Sequence, residues 1–202
     1  MQDSTMMKQS PASDAGRLRH AIQRWLKFTT AAILCCLWLP ANGFGAECSS
    51  LGSVQHSAIL ANNTADGGHV LKHITGATPP APYTQRHATM FSDGGHYTTI
   101  WNSYSTNVNG IDCLGGAGNG TTVSEQVPVD ELQDDDTLEV CQCGANVASR
   151  SCQRGYYNYS STITFVFRVV GGQWILLTAY PLYGDPTADL CVGTPAQHRK
   201  LQ

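Results

Sequence analysis

The chain has 202 residues and a formal net charge of −3, with 12 lysines and arginines against 15 acidic residues. Without the first 46 residues, which have the pattern of a removable leader, seven basic and thirteen acidic residues remain, so the rest of the chain is clearly acidic. This composition does not supply the broad basic face that proteins binding nucleic acid without sequence preference present to phosphates. The remaining stretch of about 155 residues fits one domain with a sizeable core.

Residues 1–46 have the layout of a secretory signal peptide. Five basic residues come first, then the apolar run 28–39, then Pro40 and small residues at positions 41, 43, 45 and 46. This order of basic, apolar and small-polar segments is typical of export signals. The run is shorter than the roughly 20 residues that a membrane-spanning helix needs, although an uncleaved membrane anchor is the alternative. We therefore expect a secreted or periplasmic protein with no stable membrane association after leader removal.

The first chemically notable segment is 67–76, where His69, Lys72 and His73 lie within five positions. On a helix, the two histidines would be one turn apart on the same face, an arrangement suited to a metal or to paired acid–base chemistry. The alternative is a surface helix with two solvated histidines. The segment lacks the glutamate of an H-E-x-x-H pattern, so a zinc hydrolase is a poor match.

A helix is predicted to follow Ser92 and Asp93, either of which could cap it. Apolar residues then recur at intervals of three and four, which places them on one face; they are Tyr97, Ile100, Trp101 and Tyr104.

The middle of the chain, residues 108–154, is rich in Gly, Asn and Asp and includes the acidic run 134–136, which we expect to be a solvated loop face. A long, weakly patterned stretch needs to be tied down, and disulfides can do this. Six cysteines lie beyond the leader, and an even number in an exported domain predicts a disulfide framework with 15 open connectivities. A metal site at the three closely spaced cysteines is the alternative, weakly supported by their C-x-C spacing. The six are Cys48, Cys113, Cys141, Cys143, Cys152 and Cys191.

A β-hairpin is predicted at the C-terminal end. Apolar residues alternate from Ile163 to Val169, Gly171 and Gly172 can form a two-residue turn, and a second β-rich run extends from 174 to 180. A helix first and a hairpin last, without βαβ alternation, indicate an α+β domain.

The second run ends in Thr178-Ala179-Tyr180-Pro181. Residues two apart in a strand point to one side, so Thr178 and Tyr180 would present two hydroxyls together. Uninterrupted alternation would place them on one face with Trp174, Leu176 and Phe165, in which case they could simply complete the core. The alternative is that the two hydroxyls belong to a site.

These segments, taken in order, resemble the bacterial ribonuclease A-like toxin family found at the C-terminal ends of contact-dependent inhibition proteins. The resemblance covers about residues 67–182, is strong at both ends and weak across the cysteine-rich middle. It is carried by Gly68-His69-x-x-x-His73-Ile74-x-Gly76, by Arg86, by the run 88–93 before the amphipathic helix, and by Leu177-Thr178-Ala179-Tyr180-Pro181.

The resemblance implies that residues 47–202 form a ribonuclease A-like α+β domain, with N-terminal helices packed on a kinked antiparallel sheet. It implies metal-independent cleavage of RNA without a cofactor, with an immunity protein as a candidate partner. Carried over residue by residue, the catalytic set is His73, Arg86, Thr178 and Tyr180, with His69 as the second histidine of the motif.

The implied chemistry is coherent. His73 would take the proton of a ribose 2′-hydroxyl, since histidine is the side chain that titrates near neutral pH. Arg86 would meet the phosphorane with a permanently charged, planar group. The acid that protonates the leaving 5′-oxygen is open among Tyr180, Lys72 and His69. A different class of function, a catalytically silent disulfide-rich secreted binding module, is the alternative, and the net acidity favours it.

The chain also departs from the family's pattern. Pro79, Pro80 and Pro82 lie between His73 and Arg86, where the family has helical sequence, and prolines break helices. This puts the register of Arg86 in question.

Overall fold

The computed structural model describes residues 45–193, so the predicted signal peptide, residues 1–46, lies outside the described residues except for its last two. In chain order the first half contains strand β1 (Ala46–Glu47), a 3-10 helix (Cys48–Ser50), helices α1 (Gly52–Ala58) and α2 (Leu60–Asn63), a second 3-10 helix (Val70–His73), strand β2 (Thr89–Phe91) and helix α3 (Gly94–Asn107). The second half contains β3 (Asp112–Cys113), β4 (Thr122–Pro128), a 3-10 helix (Val129–Glu131), β5 (Leu138–Cys143), β6 (Val147–Ala148), β7 (Ser151–Cys152), β8 (Gly155–Ser160), β9 (Thr162–Val170), β10 (Gln173–Pro181) and β11 (Asp185–Val192). The domain is α+β, as predicted.

Two antiparallel sheets form the scaffold. One has the strand order β10-β9-β4 and the other β11-β8-β5-β2, while β1 pairs with β3 and β6 with β7. Helix α1 packs on β10, where the Ser53 hydroxyl donates to the Trp174 carbonyl at 2.7 Å and the Leu176 amide donates to the Ser57 hydroxyl at 2.8 Å. Within residues 45–193, no helix is both long and apolar enough to cross a membrane.

Helix α3 confirms the predicted amphipathic helix. The Asp93 carboxylate accepts a hydrogen bond from the His96 amide at 2.8 Å, which satisfies one of the free amides of the first turn. All four predicted apolar residues are buried, and the Tyr104 ring stacks on Phe165 with centroids 4.0 Å apart. These aromatic contacts hold α3 against the sheet that carries the C-terminal hairpin.

The C-terminal hairpin is also confirmed. Strands β9 and β10 are joined by Gly171 and Gly172, whose positive φ angles of 60° and 81° suit a tight hairpin turn. Residues 163, 165, 167 and 169 of β9 are buried in the core, in line with the predicted alternation.

The predicted face of Thr178 and Tyr180 is wrong. Leu176 lies opposite Phe167 but Thr178 lies opposite Val166, so Leu177 is an extra residue that forms a β-bulge. Directly opposed residues share a face, and Phe165 faces Ala179, not Thr178. The bulge therefore moves Thr178 and Tyr180 away from the core face of Trp174, Leu176 and Phe165.

The six cysteines form three disulfides, which confirms the predicted framework. Cys48 pairs with Cys113, Cys141 with Cys191, and Cys143 with Cys152. Two of the bridges begin on β5, so the cysteine-rich middle is fastened both to the C-terminal strand β11 and to β7. The acidic residues 134–136 are exposed, as expected.

Candidate active site

A cleft of about 410 Å³ opens beside the end of β10 and brings together all five residues that the sequence singled out. It is lined by residues from the 3-10 helix Val70–His73 and its flank, from the loop before β2, and from the chain around Pro181. The lining residues are His69, Lys72, His73, Arg86, His87, Ala88, Thr89, Thr178, Tyr180, Pro181, Leu182 and Tyr183.

His73 is buried in the wall of the cleft, with 7% of its surface exposed. Its ring lies 5.0 Å from the Tyr180 ring, centroid to centroid, at an angle of 26°. Nδ1 is 2.8 Å from the Thr89 carbonyl oxygen. A carbonyl oxygen only accepts, so Nδ1 carries a proton and donates it to this bond. In the neutral ring, Nε2 is then the basic nitrogen.

Burial lowers the pKa of His73 to about 3, against the opposing effect of the Thr89 hydrogen bond, and the nearby charge of Lys72 lowers it further. His73 is therefore neutral at neutral pH in the free protein. The environment of His73 holds its pKa well below the ordinary value of about 6.5, around which we expected the ring to titrate.

His69 lies at the opposite end of this short segment from His73. The structure has a 3-10 helix at Val70–His73, and His69 immediately precedes it, so the two histidines are not one α-helical turn apart. The His69 amide donates to the Leu177 carbonyl at 2.8 Å, which ties this segment to the bulge of β10. Its ring stacks on Tyr83 with centroids 4.0 Å apart, and burial followed by the charge of Lys72 lowers its pKa to about 4.

Arg86 reaches the cleft from the loop between the 3-10 helix and β2. Residues 74–88 of this loop form no helix, consistent with the three prolines. The Arg86 side chain is exposed, but the preceding residue, Gln85, is fully buried. Despite the prolines between them, Arg86 lies in the same cleft as His73.

Thr178 and Tyr180 line the cleft because of the bulge at Leu177. The Thr178 side chain is 4% exposed, and its hydroxyl oxygen is buried without a hydrogen-bond partner among the described residues. The Nδ1 atom of His69 is likewise buried without a hydrogen-bond partner among the described residues. Buried polar atoms without partners are uncommon and call for an explanation. Two of them line this cleft.

The cleft carries basic charge although the domain as a whole is acidic. It contains Lys72 and Arg86, two of the five lysines and arginines between residues 45 and 193. The described side chains that line it include no Asp or Glu. A site of this kind favours an anion such as a phosphate.

Three residues of the site were missed by sequence reasoning. Thr89 orients His73 through its backbone carbonyl, which has no side-chain signal. His87 lines the cleft next to Arg86 and could have been suggested by that adjacency alone. Tyr83 stacks on His69 across a proline-rich loop that has no periodicity.

No protein-family model, curated protein or solved structure matches the chain. The function is therefore argued from the sequence motifs and from the geometry of the cleft.

Proposed function

We propose that this protein is a secreted, metal-independent endoribonuclease with a ribonuclease A-like fold and an antibacterial toxin role. The observation that supports the proposal best is that the four proposed catalytic residues meet in one cleft although they are far apart in the chain. His73 and Arg86 lie about a hundred residues before Thr178 and Tyr180 in the chain, and all four line one basic cleft. The three disulfides fit an oxidising compartment, as an exported protein requires. RNA is the substrate, and an immunity protein is the partner that such a toxin calls for.

In the proposed reaction, Nε2 of His73 takes the proton of the ribose 2′-hydroxyl. The 2′-oxygen then forms a bond to the adjacent phosphorus, and the bond from phosphorus to the 5′-oxygen breaks. The hydrogen bond from Nδ1 to the Thr89 carbonyl fixes the ring and its tautomer for this role. The products are a 2′,3′-cyclic phosphate and a 5′-hydroxyl.

A pKa of about 3 makes His73 a weak base in the free protein. A bound phosphodiester places a negative charge near the ring, and a nearby negative charge favours the protonated imidazole. We therefore infer that substrate binding raises the pKa of His73 and makes the proton transfer easier.

The remaining groups serve the phosphate and the leaving oxygen. The Arg86 guanidinium stabilises the dianionic phosphorane, and Thr178 donates a hydrogen bond to the phosphate or the ribose. His69, with a pKa of about 4, is neutral at neutral pH and has no extra proton to give. Lys72 or Tyr180, which also line the cleft, are therefore the preferred donors to the leaving 5′-oxygen.

Two observations favour the alternative of a catalytically silent binding module. The chain beyond the leader is acidic, and both cleft histidines have pKa values far below neutrality. In that case the cleft would bind an anionic group on a protein or glycan without cleaving it.

The deciding experiment incubates the oxidised exported protein with RNA in EDTA and analyses the fragment ends. We expect fragments that end in 2′,3′-cyclic phosphate. His73→Ala should lower the rate by about 10²–10⁴-fold, the usual value of positioned acid–base catalysis. His56→Ala is the matched control, because His56 is 61% exposed and does not line the cleft.

If EDTA stops the cleavage, or if the His73→Ala variant cuts as fast as the unmodified protein, the mechanism is wrong. If no RNA is cut under any condition, the binding module replaces the nuclease.

A further inference from the structure

Gln85 is a fully buried amide in the loop that carries Arg86. Its Nε2 donates to the Ile74 carbonyl at 2.7 Å and, at 3.5 Å, to the Leu71 carbonyl. Its Oε1 accepts from the Cys152 amide at 2.7 Å. The backbone amide of Gln85 donates to the Arg150 carbonyl at 2.9 Å. One residue therefore joins three segments that are separate in the chain.

Two of these segments carry proposed catalytic residues. Ile74 directly follows His73, and Arg86 directly follows Gln85. The hydrogen bonds from Gln85 Nε2 thus connect the chain on both sides of His73 to the chain beside Arg86.

The third segment is the loop closed by the disulfide between Cys143 and Cys152. It borders the Arg86 loop along its length, since the His87 amide donates to the Gly144 carbonyl at 3.3 Å and the Cys143 amide donates to the Ala88 carbonyl at 2.9 Å. The disulfide-closed loop is therefore the frame against which residues 85–88 are held.

We propose that Gln85 is the positioning residue that sets Arg86 against His73, with the Cys143–Cys152 loop as its support. This inference rests on the proposed ribonuclease function. Arg86 is exposed, so packing does little to hold its side chain, and the direction in which it leaves the backbone depends on the loop. The hydrogen bonds of the Gln85 side-chain amide hold that loop to the segment around His73 on one side and to Cys152 on the other. Gln85 itself does not line the cleft.

The first test is the variant Gln85→Met, which has a similar length and removes all three side-chain hydrogen bonds. We expect kcat for RNA cleavage to fall by about 10–10²-fold, because misplacing a catalytic group by about 1 Å has a cost of that order. Gln85→Glu keeps the acceptor for the Cys152 amide, and a carboxyl group fully buried beside the Ile74 carbonyl oxygen favours the protonated form, which can still donate. Its kcat should therefore lie between that of Gln85→Met and that of the unmodified protein, and it provides a second variant where Gln85→Met folds poorly.

Tyr97→Phe is the matched control. The Tyr97 hydroxyl makes one buried hydrogen bond, to the Ala58 carbonyl at 2.7 Å, and Tyr97 does not line the cleft. Its loss should lower stability without lowering kcat. If Tyr97→Phe lowers kcat as much as Gln85→Met does, Gln85 is only structural.

A double variant shows whether Gln85 acts through Arg86. When Arg86→Ala has already removed the guanidinium, Gln85→Met should lower cleavage no further, because two residues that act as a unit are not additive. A further tenfold loss in the double variant would overturn the proposal.

A readout that does not depend on cleavage separates this inference from the proposed function. NMR relaxation should show that the backbone order parameter of Arg86 falls in Gln85→Met and stays unchanged in Tyr97→Phe. Absence of RNA cleavage by the unmodified protein would end the proposed function while this measurement still tested the positioning of Arg86. An unchanged order parameter in Gln85→Met would overturn the positioning role even if RNA were cut.

Discussion

Replacing Thr178 by valine should stabilise the folded protein and at the same time slow its cleavage of RNA. The Thr178 hydroxyl is buried without a hydrogen-bond partner among the described residues. Leaving such a group unsatisfied costs about 1–3 kcal/mol. Valine has nearly the same shape and no hydroxyl, so Thr178→Val removes this cost. Imperfect packing of the new methyl group offsets part of the gain, and we therefore expect the free energy of unfolding to rise by about 1 kcal/mol.

The assay combines urea unfolding with RNA cleavage. Thr164→Val is the matched control, because the Thr164 hydroxyl is also buried without a described partner, on the neighbouring strand β9, and Thr164 does not line the cleft. Both variants should unfold at higher urea concentration, but only Thr178→Val should cut RNA more slowly. If Thr178→Val unfolds at lower urea concentration than the unmodified protein, its hydroxyl has a partner and the reasoning fails. If it is stabilised and cuts at the full rate, Thr178 has no part in the reaction.

Two further predictions concern acid and thiols. The free energy of unfolding should fall by about 2 kcal/mol between pH 6.5 and 4.5 from His73 alone, because the unfolded chain takes up a proton in this range that the buried ring, with its pKa of about 3, does not accept. Urea titrations across this range measure the fall, and an equally steep fall in His73→Gln would contradict this prediction. Thiol titration of the denatured, unreduced protein without its leader should find essentially no free cysteine, because three disulfides pair all six, and two or more free thiols per chain would contradict the pairing.

The parts of the fold that the sequence predicted are those set by local chemistry. The Asp93 cap and the spacing of four apolar residues define α3 within one stretch of chain, and the two glycines define the hairpin turn. The even cysteine count predicted disulfides but not their partners, because the connectivity depends on which strands become neighbours. The four-stranded sheet joins β2, β5, β8 and β11 through contacts between distant segments, and no local pattern encodes them.

The bulge at Leu177 shows why the face of Thr178 was predicted wrongly. Strict alternation assumes one residue opposite each partner, and the bulge adds one residue to β10. The Leu177 carbonyl accepts a hydrogen bond from the His69 amide, so the irregularity is connected to a segment about a hundred residues earlier in the chain. Strand periodicity alone carries no sign of such a contact.

The candidate site, like the fold, has features that the sequence predicted and features that it did not. Its residue types and their order pointed to the cleft, and the structure places all five residues there. Their protonation could not be predicted, because the low pKa of His73 arises mainly from burial that only the assembled fold creates. The connection through Gln85 was missed for a related reason, since a lone glutamine in a loop gives no sign that its amide will be enclosed.

The distance along the chain between the two halves of the cleft has a kinetic consequence. Residues 69–89 supply one wall and residues 178–183 the other, so closing the cleft requires contacts of long sequence separation, which form late and slowly. Ribosomes add roughly 5–20 residues per second, so a nascent chain spends several seconds with His73 and Arg86 made and their partners on β10 still to come. By the end of that interval the chain contains most of the domain and none of the completed cleft. Any activity that depends on the cleft therefore switches on at the end of folding, which makes binding at this site a marker for the docking of the last hairpin.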